Sequence, residues 1–204
     1  LGIVTLYSTL GGIKAVAITD VFQFLIFYIA LPIACAIGYH NIGGYHTIIN
    51  SLPSSHLTID GDNIMLFLGM AGFALMPNAD IPFIQRALIS SNTSQLRSTF
   101  NAVAVLMFPL FFIVALIGLI TYIYNPNIDP DTALYFFIQN YLPSGVIGLM
   151  IAGILAIVMS TQDSFLNTTS TLIARDICKQ IWPDINDRTE LMIARFACVA
   201  IAIM

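Results

Sequence analysis

Long apolar runs along this chain alternate with short polar stretches. No charged residue occurs from Val21 to Ile59 or from Ser98 to Ile128, and between Thr132 and Ala174 the only one is Asp163. Such runs exceed the roughly 20 apolar residues that cross a bilayer as a helix. Leu1 to Leu10 reads as the tail of a span, ended by Gly11-Gly12, where access to positive φ favours a helix stop. Val16 to Gly38 reads as a full span, about 34 Å at ~1.5 Å per residue. A polar stretch follows from Tyr39 to Asn63. Ile64 to Ile84 is the next span, interrupted by Gly69, Gly72, Pro77 and Pro82 with Asn78 and Asp80 among them. Breakers at that density predict a discontinuous or kinked helix, tolerated where it faces protein or a wet cavity. Phe100 to Tyr124 is a cleaner span with a kink expected at Pro109. The loop Asn125 to Pro143 carries Asn-Pro and Asp-Pro turn signals and a short helix at Thr132 to Asn140. Gly145 to Ile173 is a long span with a polar middle, and Leu191 opens a last one. The pattern predicts an all-α polytopic membrane protein.

Composition agrees. Apolar residues make up 58% of the chain and charged ones 9%, against about 25% charged in soluble domains. The net charge of −4 says little, because membrane proteins read charge by location. All seven basic residues (Lys14, Arg86, Arg97, Arg175, Lys179, Arg188, Arg195) fall in or beside alternate loops, while Tyr39 to Asn63 and Asn125 to Pro143 contain none. The positive-inside rule therefore places the basic loops in the cytoplasm. No basic surface for nucleic acid is present, and Cys35, Cys178 and Cys198 lack metal-binding or disulfide spacing. The chain starts at Leu1 and stops at Met204 inside an apolar run, so it is expected to be one part of a larger protein.

A charge in hydrocarbon is costly, so intramembrane acids are functional candidates. Asp20 lies near the start of its span beside Thr19 and Gln23, where a helix-dipole role would also serve. Asp80 stands between two prolines, where capping a half-helix is the alternative. The densest cluster is Ser160, Thr161, Asp163 and Ser164, followed by Asn167 to Thr171. Helical spacing puts the Ile157 carbonyl and the Ser160 and Thr161 hydroxyls on one small patch. Three neutral oxygens suit a weakly held, exchangeable alkali ion better than a caged divalent one. Alternatively, these hydroxyls permit close helix packing or bond back to the i−4 carbonyl.

Several segments resemble the sodium:solute symporter family, which includes the sodium–proline and sodium–glucose cotransporters. They are Gly11-Gly12-Ile-Lys14-Ala-Val-Ala-Ile-Thr19-Asp20-Val-Phe-Gln23, Ile84-Gln85-Arg86-Ala87, and Ala152 to Asn167 running on to Arg175-Asp176-Ile177. The last is the most specific. The resemblance implies part of a leucine-transporter-type core, built from two inverted five-helix repeats, with residues 1–204 running from the end of core helix four to the start of core helix nine as a single incomplete domain. It implies that Ile157 (carbonyl), Ser160 and Thr161 hold sodium as the coupling ion, that Asp20 supports sodium dependence, and that Asp80 and Asn78 lie near the solute pathway. Some members carry a hydroxyl at the position of Ile157 for a second sodium. Here that side chain is apolar. Asp163 is assigned no ligand role and is expected to order the helix interior through hydrogen bonds.

The implied function is sodium-coupled import of a small organic solute by alternating access, in a lipid bilayer and most simply a bacterial inner membrane. Where members that stack sugars carry aromatic residues, this chain has Ala74-Leu75-Met76-Pro77, which favours an amino acid or small organic acid. The rival is a symporter-like sensor module of a signalling protein. An enzyme is not expected, since no paired-acid or metal-ligand motif is present.

Overall fold

The computed structural model describes residues 2–54, 61–74 and 80–203. Every regular element among them is helical. Helix α1 runs Gly2–Asn41, α2 Gly44–Ser51, α3 Gly61–Ala74, α4 Ile81–Leu88 and α5 Thr93–Tyr124. After a 3-10 turn at Pro130–Thr132 come α6 Ala133–Tyr141 and α7 Ser144–Thr171. The chain continues from α7 as a π-helix, Leu172–Cys178, and one last turn, Lys179–Ile181, before α8 Asp187–Ile203.

Among the described residues, three helical stretches are long and apolar enough to cross a membrane: Lys14–Asn41, Thr93–Tyr124 and Ser144–Ile181. Their outer surfaces are apolar. On α5, Val105, Phe108, Phe111 and Phe112 all stand exposed. A patch of this kind is unstable against water but matches hydrocarbon. The protein is an all-α, multi-pass membrane protein.

Several boundaries differ from the sequence expectation. The span expected over Ile64 to Ile84 is discontinuous, as its breakers predict: it is two helices, α3 and α4, neither long enough to cross alone. Asp80 is extended (φ −63°, ψ 133°), and Pro82 sits in the first turn of α4, where a missing N–H costs nothing. Leu75 to Ala79, including Pro77 and Asn78, lie outside the described residues. The polar stretch after Gly38 holds more helix than expected, since α1 reaches Asn41 and α2 follows. Helix α5 starts at Thr93 rather than Phe100. Asn92 Oδ1 accepts from the Gln95 N–H at 2.8 Å, and Gln95 Oε1 accepts from the Ser91 N–H at 3.1 Å. This reciprocal pair satisfies donors at the helix start. Pro109 lies within α5 without ending it.

Glycine 12 interrupts α1 with φ 58° and ψ −155°, a conformation open essentially to glycine alone. The expected stop at Gly11-Gly12 is therefore a kink joining two helical segments.

The chain divides into two compact units. One comprises Ala30–Ala79 and Ser91–Met150. Its core includes Ala34, Leu110, Ile117, Ile120 and Phe137, the last two fully buried. Gly38 is required there, because a Cβ at that position would stand 2.6 Å from the Phe137 ring. Tyr124 and Tyr141 stack with ring centroids 3.6 Å apart, and Asn41 Nδ2 donates to the Tyr141 carbonyl at 3.2 Å.

The other unit comprises Leu1–Ile29, Asp80–Ser90 and Ile151–Met204. Val4, Leu166 and Cys198 form its apolar centre, with Tyr7, Met159 and Ile201 packed around them. Lys179 Nζ pairs with Glu190 Oε2 at 2.9 Å, tying the end of the α7 continuation to α8. The sequence-predicted polar cluster lies in this unit.

Candidate functional site

The turn of α7 from Ser160 to Ser164 is held by polar contacts from two other helices. Ser160 Oγ donates to Asp20 Oδ1 at 2.6 Å. Arg86 Nη2, on α4, donates to Asp20 Oδ2 at 2.8 Å and to Ser164 Oγ at 2.6 Å. Ser164 Oγ in turn donates to the Ser160 carbonyl at 2.9 Å. Arg86, Asp20, Ser160 and Ser164 thus close a ring of hydrogen bonds. Charge-assisted bonds of this kind are the strong ones. The Asp20 side chain is 18% exposed and the Arg86 side chain 54%, so the acid is shielded while its cation remains accessible.

Two of the three oxygens of the predicted cation patch are in direct contact. Thr161 Oγ1 donates to the Ile157 carbonyl at 3.0 Å, the back-bond that helical Ser and Thr often make. That bond keeps the two oxygens together, and the carbonyl retains a second lone pair. Ser160 instead turns its hydroxyl to Asp20. Asp20 is therefore an ion-paired neighbour of α7, near the start of the α1 segment that follows the Gly12 kink.

Asp80 is the N-cap residue of α4, and its carbonyl accepts from the Ile84 N–H at 3.1 Å. Its side chain makes no capping bond. Asn78 lies outside the described residues.

Asp163 is 0% exposed. Tyr7 donates its hydroxyl to Oδ2, and Ser8 Oγ donates to Oδ1 at 2.8 Å. Both oxygens of this carboxylate are thus spent on the first segment of α1. The hydrogen bonds expected of Asp163 both run to α1.

One cavity is lined by members of the ring, and a second adjoins it. The first, about 450 Å³, is walled by Lys14, Asp20, Arg86, Ser164 and Thr168. The other, about 720 Å³, is walled by Ser8, Thr9, Ser170, Arg175, Arg195 and Cys198. Gln85, Ile89 and Asn167 line both.

The sequence placed Ser164 in the polar cluster and Arg86 in a basic loop and a short motif without pairing either with Asp20, and it did not point to Tyr7 or Ser8. One signal was available. An acid on a spanning helix needs a partner, and Arg86 is one of very few cations in the chain. Nothing local identified Tyr7 and Ser8, which lie 156 and 155 positions from Asp163.

Comparison with known proteins supplies the class. Sodium-coupled monocarboxylate transporter 2 of Danio rerio is 24% identical over 98% of this chain and 36% of its own length. Sodium/glucose cotransporter 4 of the same fish is 25% identical over 96% of the chain and 36% of its length. Sodium/proline symporter 2 of Staphylococcus saprophyticus is 28% identical over 99% of the chain and 42% of its length. The chain thus spans well under half the length of the curated relatives it matches. The family model described as "Sodium:solute symporter family" matches residues 1–204 from end to end. The chain belongs to the sodium:solute symporter family.

Proposed function

We propose that the protein containing this chain is a sodium-coupled symporter that imports a small organic solute by alternating access. The observation that carries this reading is the 2.6 Å bond from Ser160 to Asp20, which joins the predicted ion patch to the acid expected to support sodium dependence. Sodium is the transported coupling ion. It would use the Ile157 carbonyl and the Ser160 and Thr161 hydroxyls as one half of its shell. Neutral oxygens hold it weakly enough to empty each cycle. Asp20, whose charge Arg86 offsets, holds the Ser160 hydroxyl in place beside that patch. The driving force is the sodium gradient plus about 2.3 kcal/mol per charge per 100 mV.

Asp80 and Asn78 are proposed to line the solute pathway. The absence of aromatic residues from Ala74 to Pro77 favours a solute without a sugar ring to stack, and we propose an amino acid or small organic acid. Its setting is the cell membrane.

The test is uptake of radiolabelled amino acids, carboxylates and sugars by the complete protein in vesicles, with and without a sodium gradient. Ser160→Ala and Thr161→Ala are each expected to raise the sodium concentration for half-maximal uptake at least about tenfold, the order lost when one ligand interaction of roughly 1.4 kcal/mol goes. Unchanged sodium activation in both variants would remove these residues from the ion site. Uptake equal in choline and sodium media would end the symport reading.

A further inference from the structure

One turn of α7 is gripped at three points, and only two belong to the ring around Asp20. The third is Asp163, which accepts from Tyr7 and Ser8 on the segment of α1 before the Gly12 kink. Ser160 meets Asp20 on the segment after it. The two segments of α1 therefore hold the same turn of α7 through separate accepting carboxylates, one carried by each helix.

The chemistry explains why an acid stands at 163. Tyr7 and Ser8 are successive residues, so their hydroxyls reach the site from different sides of α1. A carboxylate offers two oxygens and accepts both, as Oδ2 and Oδ1 do here. With Asp163 fully buried, no water stands ready to replace either bond. On α7, Asp163 lies about 60° round the helix from Ser160, at roughly 100° per residue. Turning α7 enough to swing Ser160 off Asp20 would also pull Asp163 from Tyr7 and Ser8.

We propose that Asp163 is a positioning residue for cation binding: by anchoring α7 to Tyr7 and Ser8, it sets the rotation of the helix that presents the Ser160 and Thr161 oxygens. The inference rests on the sodium reading of those two residues. Partners that orient metal-binding groups typically contribute about 10–100-fold to metal affinity, so the same scale is expected here.

The experiment measures sodium activation of solute uptake by the complete protein in vesicles, with transporter abundance quantified for each variant. Asp163→Leu is expected to raise the half-activating sodium concentration at least about tenfold, while solute uptake at saturating sodium, per transporter, changes less. Asp163→Asn keeps one acceptor oxygen and should recover part of that loss. If Asp163→Leu fails to reach the membrane, Tyr7→Phe with Ser8→Ala removes the same two donors and is expected to shift sodium activation in the same direction. Ser160→Ala, measured alongside, separates the two readings. If Ser160→Ala shifts sodium activation and the Asp163 and Tyr7/Ser8 variants lower only abundance or maximal rate, the positioning role is overturned and the sodium site stands. If Ser160→Ala also leaves sodium activation unchanged, both readings fall.

Discussion

Arg86 on α4 and Asp20 on α1 form an ion pair at 2.8 Å, and the same guanidinium nitrogen also reaches Ser164 on α7. A single cation thereby links three helices. Because the Arg86 side chain is half exposed, water screens the pair, and its worth falls below that of a fully buried one. Arg86→Ala is expected to cost about 1–2 kcal/mol, between the exposed-pair and buried-pair ranges. Asp20→Asn in the Arg86→Ala background should add less than it does alone, because the partner is already gone. Thermal unfolding of the four proteins in detergent checks this, and strictly additive losses would show that the two residues are not coupled.

Gly12 joins the two segments of α1 in a backbone conformation that an L side chain rarely adopts. There is open space for a Cβ, so crowding is not the obstacle. Gly12→Ala should cost about 1–3 kcal/mol through backbone strain alone. Gly2→Ala, at a helical position with equal open space, should be neutral or slightly stabilising. Comparing the melting temperatures of the two variants tests whether φ, rather than space, decides.

At Gly38 the obstacle is the reverse. Its backbone is ordinary helix, but a methyl group would press on the Phe137 ring, which is fully buried and has nowhere to go. Gly38→Ala is expected to destabilise by about 1–3 kcal/mol, the usual cost of overpacking. Phe137→Leu should relieve part of that penalty in the double variant. A double variant no better than the sum of the two single changes would place the strain elsewhere.

Lys179 and Glu190 form the second ion pair, at 2.9 Å and partly exposed. Such pairs contribute about 0–1 kcal/mol. Lys179→Met is therefore expected to leave the melting temperature within a degree or two, about what a few tenths of a kcal/mol would move it, and to leave sodium activation of uptake unchanged. A loss comparable to that of Arg86→Ala would mean that the pair holds the π-helical segment against α8.

The all-helical membrane class could be read from the chain because hydrocarbon imposes a length and a composition on any helix that crosses it. The interruption near Asp80 was legible for a related reason: Pro77 and Pro82 cannot both sit inside a regular helix. The start of α5 was misplaced by seven residues, because the apolar run begins after the capped first turns at Asn92 and Gln95. The grouping of Ile157 with Thr161 followed from helical spacing, and the structure keeps those two oxygens in contact. Ser160 gives its hydroxyl hydrogen to Asp20 because a charged acceptor on another helix outcompetes a backbone carbonyl for it.

Sequence alone determined the membrane class, the three long spans and the presence of a polar turn around residue 160, since each depends on hydropathy or on spacing within one helix. Tertiary structure decided the partners. Asp20 and Ser160 are 140 positions apart, Arg86 and Asp20 66, and Tyr7 and Asp163 156. Separations of that kind leave no periodic trace along a chain. Buried polar groups must find hydrogen-bonding partners, but which partners they find depends on how helices pack and on where Gly12 turns α1.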